Sequence, residues 1–311
     1  MQVFRGISAP PCGPIALTIG NFDGLHLGHQ AMLARLVGAA HERRLPATVM
    51  TFEPHPAEFF APLRAPARLS SLREKLELMR GYSVDRVHVL RFDQAFAQTS
   101  AEDFVTALLH KKLATRWLLV GDDFRFGAKR AGDLDLLAQQ SLRLGFELAS
   151  LPSLKIGSRR VSSTLVREAL AAGDLASAQT YLGRRYSISG RVMHGDQIGR
   201  SLGFPTANVQ LKHNRPPVAG IFAVNLLGAG DRALPGVASL GTRPTVTDDG
   251  GLRLEVHLFD FSGDLYGCHV RVEFLHKLRD EVHYPDRETL TAQIERDARD
   301  ARRYFETVRH D

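Results

Sequence analysis

With 311 residues, 44% hydrophobic and 24% charged, the chain is long enough for two domains or one large one and has an ordinary globular composition. A net charge of +6 suits anionic ligands, yet no Lys/Arg block is long enough for a nucleic-acid arm and the aromatics are not interleaved with basic residues, so no nucleic-acid partner is expected. Two cysteines, Cys12 and Cys268, make no disulfide framework, and no charged-then-apolar leader or apolar run of about 18 residues is present, so a cytoplasmic chain without a membrane partner is expected.

The first half alternates apolar strands with amphipathic helices. Strands are expected at Ile15–Ile19, Ala47–Phe52, Val87–Leu90, Trp117–Val120 and Phe146–Leu151. Helices are expected near His29–Arg43, Ser71–Arg80, Glu102–Lys111 and Asp133–Leu144. This order predicts a parallel sheet covered by helices on both faces, with ligands at the carboxyl ends of its strands.

Between the first of those strands and the first helix lies Gly20-Asn21-Phe22-Asp23-Gly24-Leu25-His26-Leu27-Gly28-His29. A His-x-x-His pair alone is often only surface polarity, and a zinc site would need further ligands nearby. A strand, a glycine turn and a helix start together make an anion site, because the first helical N–H groups are unpaired and the dipole end is positive. Gly28 would let a phosphate approach the backbone, and two histidines can neutralise charge on it. The turn resembles the signature of the His-x-Gly-His nucleotidyltransferase superfamily. The longer string is similar to the FMN adenylyltransferase module of bacterial bifunctional riboflavin kinase/FAD synthetases. That resemblance implies a Rossmann-like domain in which His26 and His29 are catalytic and Gly20, Phe22, Asp23 and Gly28 bind ATP.

Glu53-Pro54-His55-Pro56 closes the second strand, either as a rigid loop or as a substrate-lining one, and it matches the acidic-Pro-His-Pro of the family. Gly121-Asp122-Asp123-Phe124-Arg125-Phe126-Gly127 follows the fourth strand and resembles the family's Gly-x-(Asp/Asn)-Phe-x-Phe-Gly element beside flavin and nucleotide. Asp123 either caps the turn or accepts from a ligand; one of Phe124 and Phe126 is expected in the core. Arg125, Lys129 and Arg130 are possible aids to phosphate binding. Arg160-Val161-Ser162-Ser163-Thr164-Leu165-Val166-Arg167 opens another helix. Ser163 and Thr164 would commonly be caps, but the string resembles the Ile-Ser-Ser-Thr-x-Ile-Arg signature that closes over ATP phosphates. The resemblance gives Ser163, Thr164 and Arg167 a phosphate role and puts Arg160 with Asp123 and Phe124 on the flavin side.

A helical linker, Asp174–Leu182, ends at Gly183, and domains are expected at 1–183 and 184–311. Beyond it, short apolar stretches at Tyr186–Met193, Gly220–Leu227, Val237–Gly241, Leu252–Phe259 and His269–Leu275 predict an antiparallel barrel or sandwich. A last helix, Asp286–Val308, carries Leu290, Ile294, Ala298, Ala301 and Phe305 as its packing stripe. Gly195-x-x-x-Gly199-Arg200-x-x-Gly203-Phe204-Pro205-Thr206-Ala207-Asn208 reads as a turn or as a phosphate cradle with Thr206 and Asn208 as oxygen ligands for Mg²⁺. It resembles the Gly-Phe-Pro-Thr-Ala-Asn signature of riboflavin kinases.

In Leu254-Glu255-Val256-His257-Leu258, alternation puts Glu255 and His257 on the face opposite the three apolar residues. The pattern by itself is a surface pair; the resemblance makes Glu255 the general base. It also has Gly241-Thr242-Arg243-Pro244-Thr245 and Asp260–Gly267 line the flavin pocket and puts Arg279 near flavin and nucleotide. Where the family has a Lys-Phe-Asp-like turn, this chain has Val282-His283-Tyr284-Pro285-Asp286, with Tyr284 as a replacement stacking group. Asp123 stands where some members carry Asn. The resemblance spans the chain and implies an enzyme that phosphorylates riboflavin to FMN in its C-terminal half and adenylylates FMN to FAD in its N-terminal half. Riboflavin, FMN and ATP are then substrates, Mg²⁺ a cofactor, and the chain a monomer or weak homo-oligomer. Two other readings stay open: a flavin-binding protein without turnover, and a nucleotidyltransferase for another phosphate ester, for which the kinase-like half would have no use.

Overall fold

The computed structural model describes residues 1–7, 13–195, 203–212, 215–242 and 252–308. In the first half, apolar runs with few polar interruptions form the inner strands of one sheet, largely buried as the interior of a parallel sheet requires. Six strands, β1 (Gln2–Arg5), β2 (Ile15–Ile19), β3 (Ala47–Glu53), β4 (Arg86–Arg91), β5 (Thr115–Gly121) and β6 (Glu147–Leu151), form one sheet in the order β1-β4-β3-β2-β5-β6. Every neighbouring pair is parallel. β2 is buried along its whole length. β3 and β4 lie to one side of it and β5 and β6 to the other, so the order reverses at β2 and β5.

The intervening helices are α1 (Leu27–Glu42), α2 (Pro56–Phe60), α3 (Leu72–Arg80), α4 (Gln94–Ala97), α5 (Ala101–Asp103) and α6 (Leu134–Leu144). α5 runs directly into a π-helix, Phe104–Lys112, where the sequence predicted one continuous helix. β1 was not expected: only one of its four residues is half-buried, so an edge strand of this kind carries no apolar run. α2 was also missed. His55 caps it by accepting from Ala57 N, Glu58 reaches back to the His55 N–H, and Pro56 takes the first helical position.

After β6 come β7 (Lys155–Ile156) and β8 (Arg159–Arg160), a two-stranded pair, then α7 (Ser163–Ala171) and α8 (Leu175–Leu182), the latter ended by Gly183 in a left-handed conformation. A closed barrel follows in the order β10-β13-β12-β11-β14-β9. Its strands are β9 (Ser187–Met193), β10 (Thr206–Val209), β11 (Gly220–Leu227), β12 (Leu234–Thr242), β13 (Leu252–Leu258) and β14 (His269–Arg279). All six pairings are antiparallel. Leu254, Val256 and Leu258 point inward, joined by Phe222 and Phe274, whose rings meet edge to face at 5.1 Å. The terminal helix α9 (Arg287–Val308) packs Ala298 and Ala301 on Ile221, Ala223, Val237 and Phe259. The architecture is thus α/β with a parallel sheet, followed by an all-β barrel with a terminal helix. By packing, Met1–Pro66 and Lys75–Ser162 form one compact unit, and Ala67–Glu74 and Ser163–Asp311 the other.

Candidate active sites

The Gly20–His29 turn leaves the carboxyl end of β2, at the reversal of strand order where open α/β sheets bind ligands. Gly20 N donates to Met50 O (3.1 Å) and Thr51 Oγ1 to Asn21 O (3.2 Å), which fastens the turn to β3. Phe22 and Asp23 are buried, at 0% and 2% exposure, so they form the floor of the turn. His26 caps α1: its Nδ1 accepts from His29 N (3.3 Å), so a neutral His26 carries its proton on Nε2. The rings of His26 and His29 stack with centroids 3.7 Å apart, and Phe22 lies 5.1 Å from His29. A Cβ at Gly28 would stand 3.2 Å from the His26 ring, so glycine here makes room for that ring to fold back. His29 Nδ1 is buried without a hydrogen-bond partner among the described residues. Burial first, then His26 and Lys75, hold the His29 imidazole well below the usual histidine range.

Lys75 was not singled out from the sequence, where a lysine in a charged helix reads as solvated. It is 3% exposed, with Nζ 3.5 Å from Thr51 Oγ1. The usable signal was its spacing, four residues after Ser71 and four before Met79, both also buried.

After β5, the other strand at the reversal, Asp123 and Arg160 meet in an ion pair of 2.7 Å. Phe126 enters the core, 5.1 Å from Phe104, and Phe124 stacks on it half-buried at 5.5 Å. Arg125 is engaged by Asp133 at 2.9 Å, while Lys129 and Arg130 are exposed. Beyond β3 and β4 a group of rings not expected from sequence gathers: Phe52, Phe59, Phe60, Phe92 and Phe96, each 5.2–5.8 Å from a neighbour, with Phe60 67% exposed.

Ser163 and Thr164 occupy the first two positions of α7. Arg167, one turn on, donates through Nε to Ala67 O (2.5 Å).

On the barrel, the Gly-Phe-Pro-Thr-Ala-Asn string enters a strand rather than a loop. β10 pairs with β13 so that Asn208 faces Glu255 and Thr206 faces His257. Glu255 is also opposite Ser239 on β12. Directly paired antiparallel residues share a face, so Thr206, Asn208, Glu255, His257 and Ser239 stand together on the outside of the barrel. His257 Nδ1 lies 3.0 Å from Pro205 O, and its ring meets Phe204 edge-on at 5.3 Å, fixing the approach to β10. Ser239 Oγ donates to Glu281 Oε1 at 3.2 Å. A side chain at Gly195 would collide with the Asn208 amide, so that glycine gives the asparagine its place. His194, just before it, stacks on Tyr266 at 3.8 Å. Gly203 is in a left-handed conformation (φ 87°). Gly199, Arg200 and the Arg243-Pro244-Thr245 stretch lie outside the described residues.

Arg279 ends β14 and grips Asp297 of α9 with two bonds, Nε to Oδ1 at 2.8 Å and Nη2 to Oδ2 at 2.6 Å. That grip is the main cause that raises the proton affinity of the guanidinium. Tyr284 lies 5.8 Å from the same guanidinium, a cation–π contact.

Comparison with known proteins gives both halves a counterpart. The family model described as FAD synthetase matches residues 11–165, and the one described as riboflavin kinase matches residues 182–305. The bifunctional riboflavin kinase/FMN adenylyltransferase of Escherichia coli is 49% identical over 310 residues, covering 98% of each chain. That of Haemophilus influenzae is 45% identical over 309 residues, covering 98% of this chain and 99% of its own. Among solved structures, one titled a macrolide-efflux protein, from Streptococcus pneumoniae, superposes with a TM-score of 0.78 at 28% identity, covering 95% of this chain and 96% of that one. No helix among the described residues is long and apolar enough to cross a membrane. Near-complete coverage by relatives at almost half identity, with both family models in the same order as the parallel sheet and the barrel, means that the chain belongs to the bifunctional riboflavin kinase/FMN adenylyltransferase family.

Proposed function

We propose that the chain makes flavin nucleotides in two steps: it phosphorylates riboflavin to FMN in its C-terminal half and joins FMN to an adenylyl group in its N-terminal half. The observation that carries this reading is the β10–β13 register, which sets Glu255 directly beside Asn208. Binding alone needs no base next to an oxygen ligand for a nucleotide-bound cation.

On the barrel, Glu255 takes the proton of the ribityl 5′-hydroxyl while that oxygen attacks the γ-phosphorus of ATP and ADP leaves. Gly195, Gly199, Arg200 and Gly203 cradle the phosphates, and Arg279 lines the flavin side. Thr206 and Asn208 fit Mg²⁺: they are hard oxygen donors on one strand face, and two protein ligands with phosphate oxygens are a common magnesium environment. Bound there, Mg²⁺ would neutralise charge on the phosphates.

In the parallel-sheet half, a phosphate oxygen of FMN attacks the α-phosphorus of a second ATP, and pyrophosphate leaves with formation of FAD. The FMN phosphate is ionised at neutral pH, so no protein base is needed. His26 offers Nε2–H to the reacting phosphates, and His29 stabilises charge beside it. Gly20, Phe22, Asp23 and Gly28 shape the nucleotide turn. Ser163, Thr164 and Arg167 take the β- and γ-phosphates, and Asp123, Phe124 and Arg160 the flavin, as their motifs do in the family. The functional boundary is placed at 183/184, with the reactions in the cytoplasm on a monomer or weak homo-oligomer.

The test is incubation of the purified chain with riboflavin, ATP and Mg²⁺, with flavins separated by chromatography over time. FMN followed by FAD is expected. FMN without FAD, even after FMN is supplied directly, would remove the role given to the His26–His29 turn; neither product would leave a flavin-binding protein.

A further inference from the structure

We infer, resting on the reading of Glu255 as the base of riboflavin phosphorylation, that Glu281 is a positioning residue of that site: it holds the hydroxyl proton of Ser239 and so keeps that proton off Glu255. Asn208, Glu255 and Ser239 form one row across three neighbouring strands. Glu255 of β13 is directly paired with Asn208 of β10 on one side and with Ser239 of β12 on the other. Directly paired antiparallel residues have Cβ atoms about 4.5–5.5 Å apart, which puts a serine hydroxyl within reach of the glutamate carboxylate. Ser239 instead donates to Glu281 Oε1, at 3.2 Å, from just beyond the end of β14. The seat of Glu281 is built into the barrel: a Cβ at Gly241 would collide with its carboxylate, just as one at Gly195 would collide with the Asn208 amide. A glycine thus makes room at each end of the row, for the amide on one side and for the second carboxylate on the other.

A hydroxyl has one proton, and a carboxylate only accepts. With its proton given to Glu281, Ser239 turns lone pairs towards Glu255. Without Glu281 the same hydroxyl has Glu255 beside it as an acceptor. A hydrogen bond to the charged form of a carboxylate lowers its proton affinity and weakens it as a base. The arrangement also suits the product of the transfer: once Glu255 holds the proton of the ribityl hydroxyl, the Ser239 oxygen can accept from it. Arg253 and His257 stand two residues to either side of Glu255 on the same face of β13, while Thr206 and Asn208 of β10 and Ser239 of β12 are neutral. Towards α9, Arg279 grips Asp297 and feels the charge of Glu281. Those charged groups stay in place when Glu281 or Ser239 is replaced.

The experiment uses the full chain with Glu281→Ala, Glu281→Gln, Ser239→Ala and the double variant Glu281→Ala with Ser239→Ala. Glu255 is titrated without ligand by carboxyl-carbon NMR of glutamate-labelled protein, its signal identified by its loss in Glu255→Gln. FMN formation from riboflavin and Mg·ATP is followed against pH, and the melting of the barrel reports folding. In Glu281→Ala the Glu255 midpoint should move down by about half a pH unit to one pH unit, the size of one hydrogen bond. The acid limb of FMN formation should move with it, and the plateau kcat should fall about twofold to fivefold. Glu281→Gln keeps an acceptor oxygen for Ser239 and should keep most of the original midpoint. Removing the hydroxyl as well, in the double variant, should reverse the shift. An unmoved midpoint in Glu281→Ala overturns the inference. A shift of equal size in Glu281→Gln, Glu281→Ala and the double variant comes from the lost charge and overturns it too. Ser239→Ala by itself should not raise the midpoint; a rise means that the serine already donates to Glu255, and it overturns the inference even if Glu281→Ala fails to fold. If the unmodified chain forms no FMN, or Glu255→Gln forms it as fast, the reading of the base fails, while the ligand-free titration still decides where the Ser239 proton goes.

Discussion

At the scale of single residues, two positions separate the proposed reactions. Glu255 stands on an outer barrel face beside Asn208, where a carboxylate can act as a base. Glu255→Gln keeps shape and removes basicity, so FMN formation should fall about 10²- to 10⁴-fold while FMN-to-FAD conversion continues. His29→Ala should do the reverse, with FMN accumulating. Loss of both activities from either variant, with the fold intact by circular dichroism, would break the division of labour. His29 also makes stability depend on pH. Its folded proton affinity is below that of the unfolded chain, near pH 6.5, so the unfolded state holds more protons just below that pH. Its contribution is complete above about pH 6.5 and is lost as pH falls toward the folded value. His88, also lowered chiefly by burial, acts with the same sign, so the comparison needed is between variants. His29→Gln should show a smaller drop in Tm between pH 7 and pH 5 than the unmodified chain; an equal drop would clear His29 of the effect.

At the scale of elements, the bond between β14 and α9 matters most. Asp297 is 5% exposed and both its oxygens are taken by Arg279, while Gln293 Nε2 adds a third bond at 2.9 Å. Removing one partner of a buried ion pair leaves the other charge stranded. Arg279→Met should therefore destabilise the barrel unit by about 3–5 kcal/mol in urea unfolding. If stability is unchanged and only flavin affinity falls, Arg279 serves the ligand alone. The expected flavin role of this arginine came from resemblance; its grip on α9 involves residues 18 apart in sequence and was invisible there. β10 was hidden for another reason. Four residues with two polar side chains, entered through Gly203-Phe204-Pro205, look like a turn until a partner strand supplies the hydrogen bonds.

At the scale of the whole molecule, the two packing units do not part at the linker. Ala67–Glu74 and Ser163–Leu182 belong with the barrel, where Glu74 accepts from Ser189 N at 2.5 Å and Arg167 holds Ala67 O. A chain cut to 184–311 retains all six barrel strands and α9 but loses those contacts. It should still convert riboflavin to FMN and should melt at a lower temperature than the barrel within the full chain, by calorimetry. An equal melting temperature would show that the 67–74 and 163–182 segments add no stability to the barrel.

The amino-acid sequence alone determined the alternation of strands and helices, the change to a barrel after Gly183, the inward face of Leu254, Val256 and Leu258, and the turn at His26–His29, because each is written in local periodicity or in adjacent residues. Only the tertiary structure decided that Asn208 pairs with Glu255, that Asp123 pairs with Arg160, that Gly28 makes room for the His26 ring, and that Lys75 is buried. Most of these join residues tens of positions apart, and even the Gly28–His26 contact depends on how one ring folds back. Strand register and side-chain packing, which no local pattern encodes, bring them together.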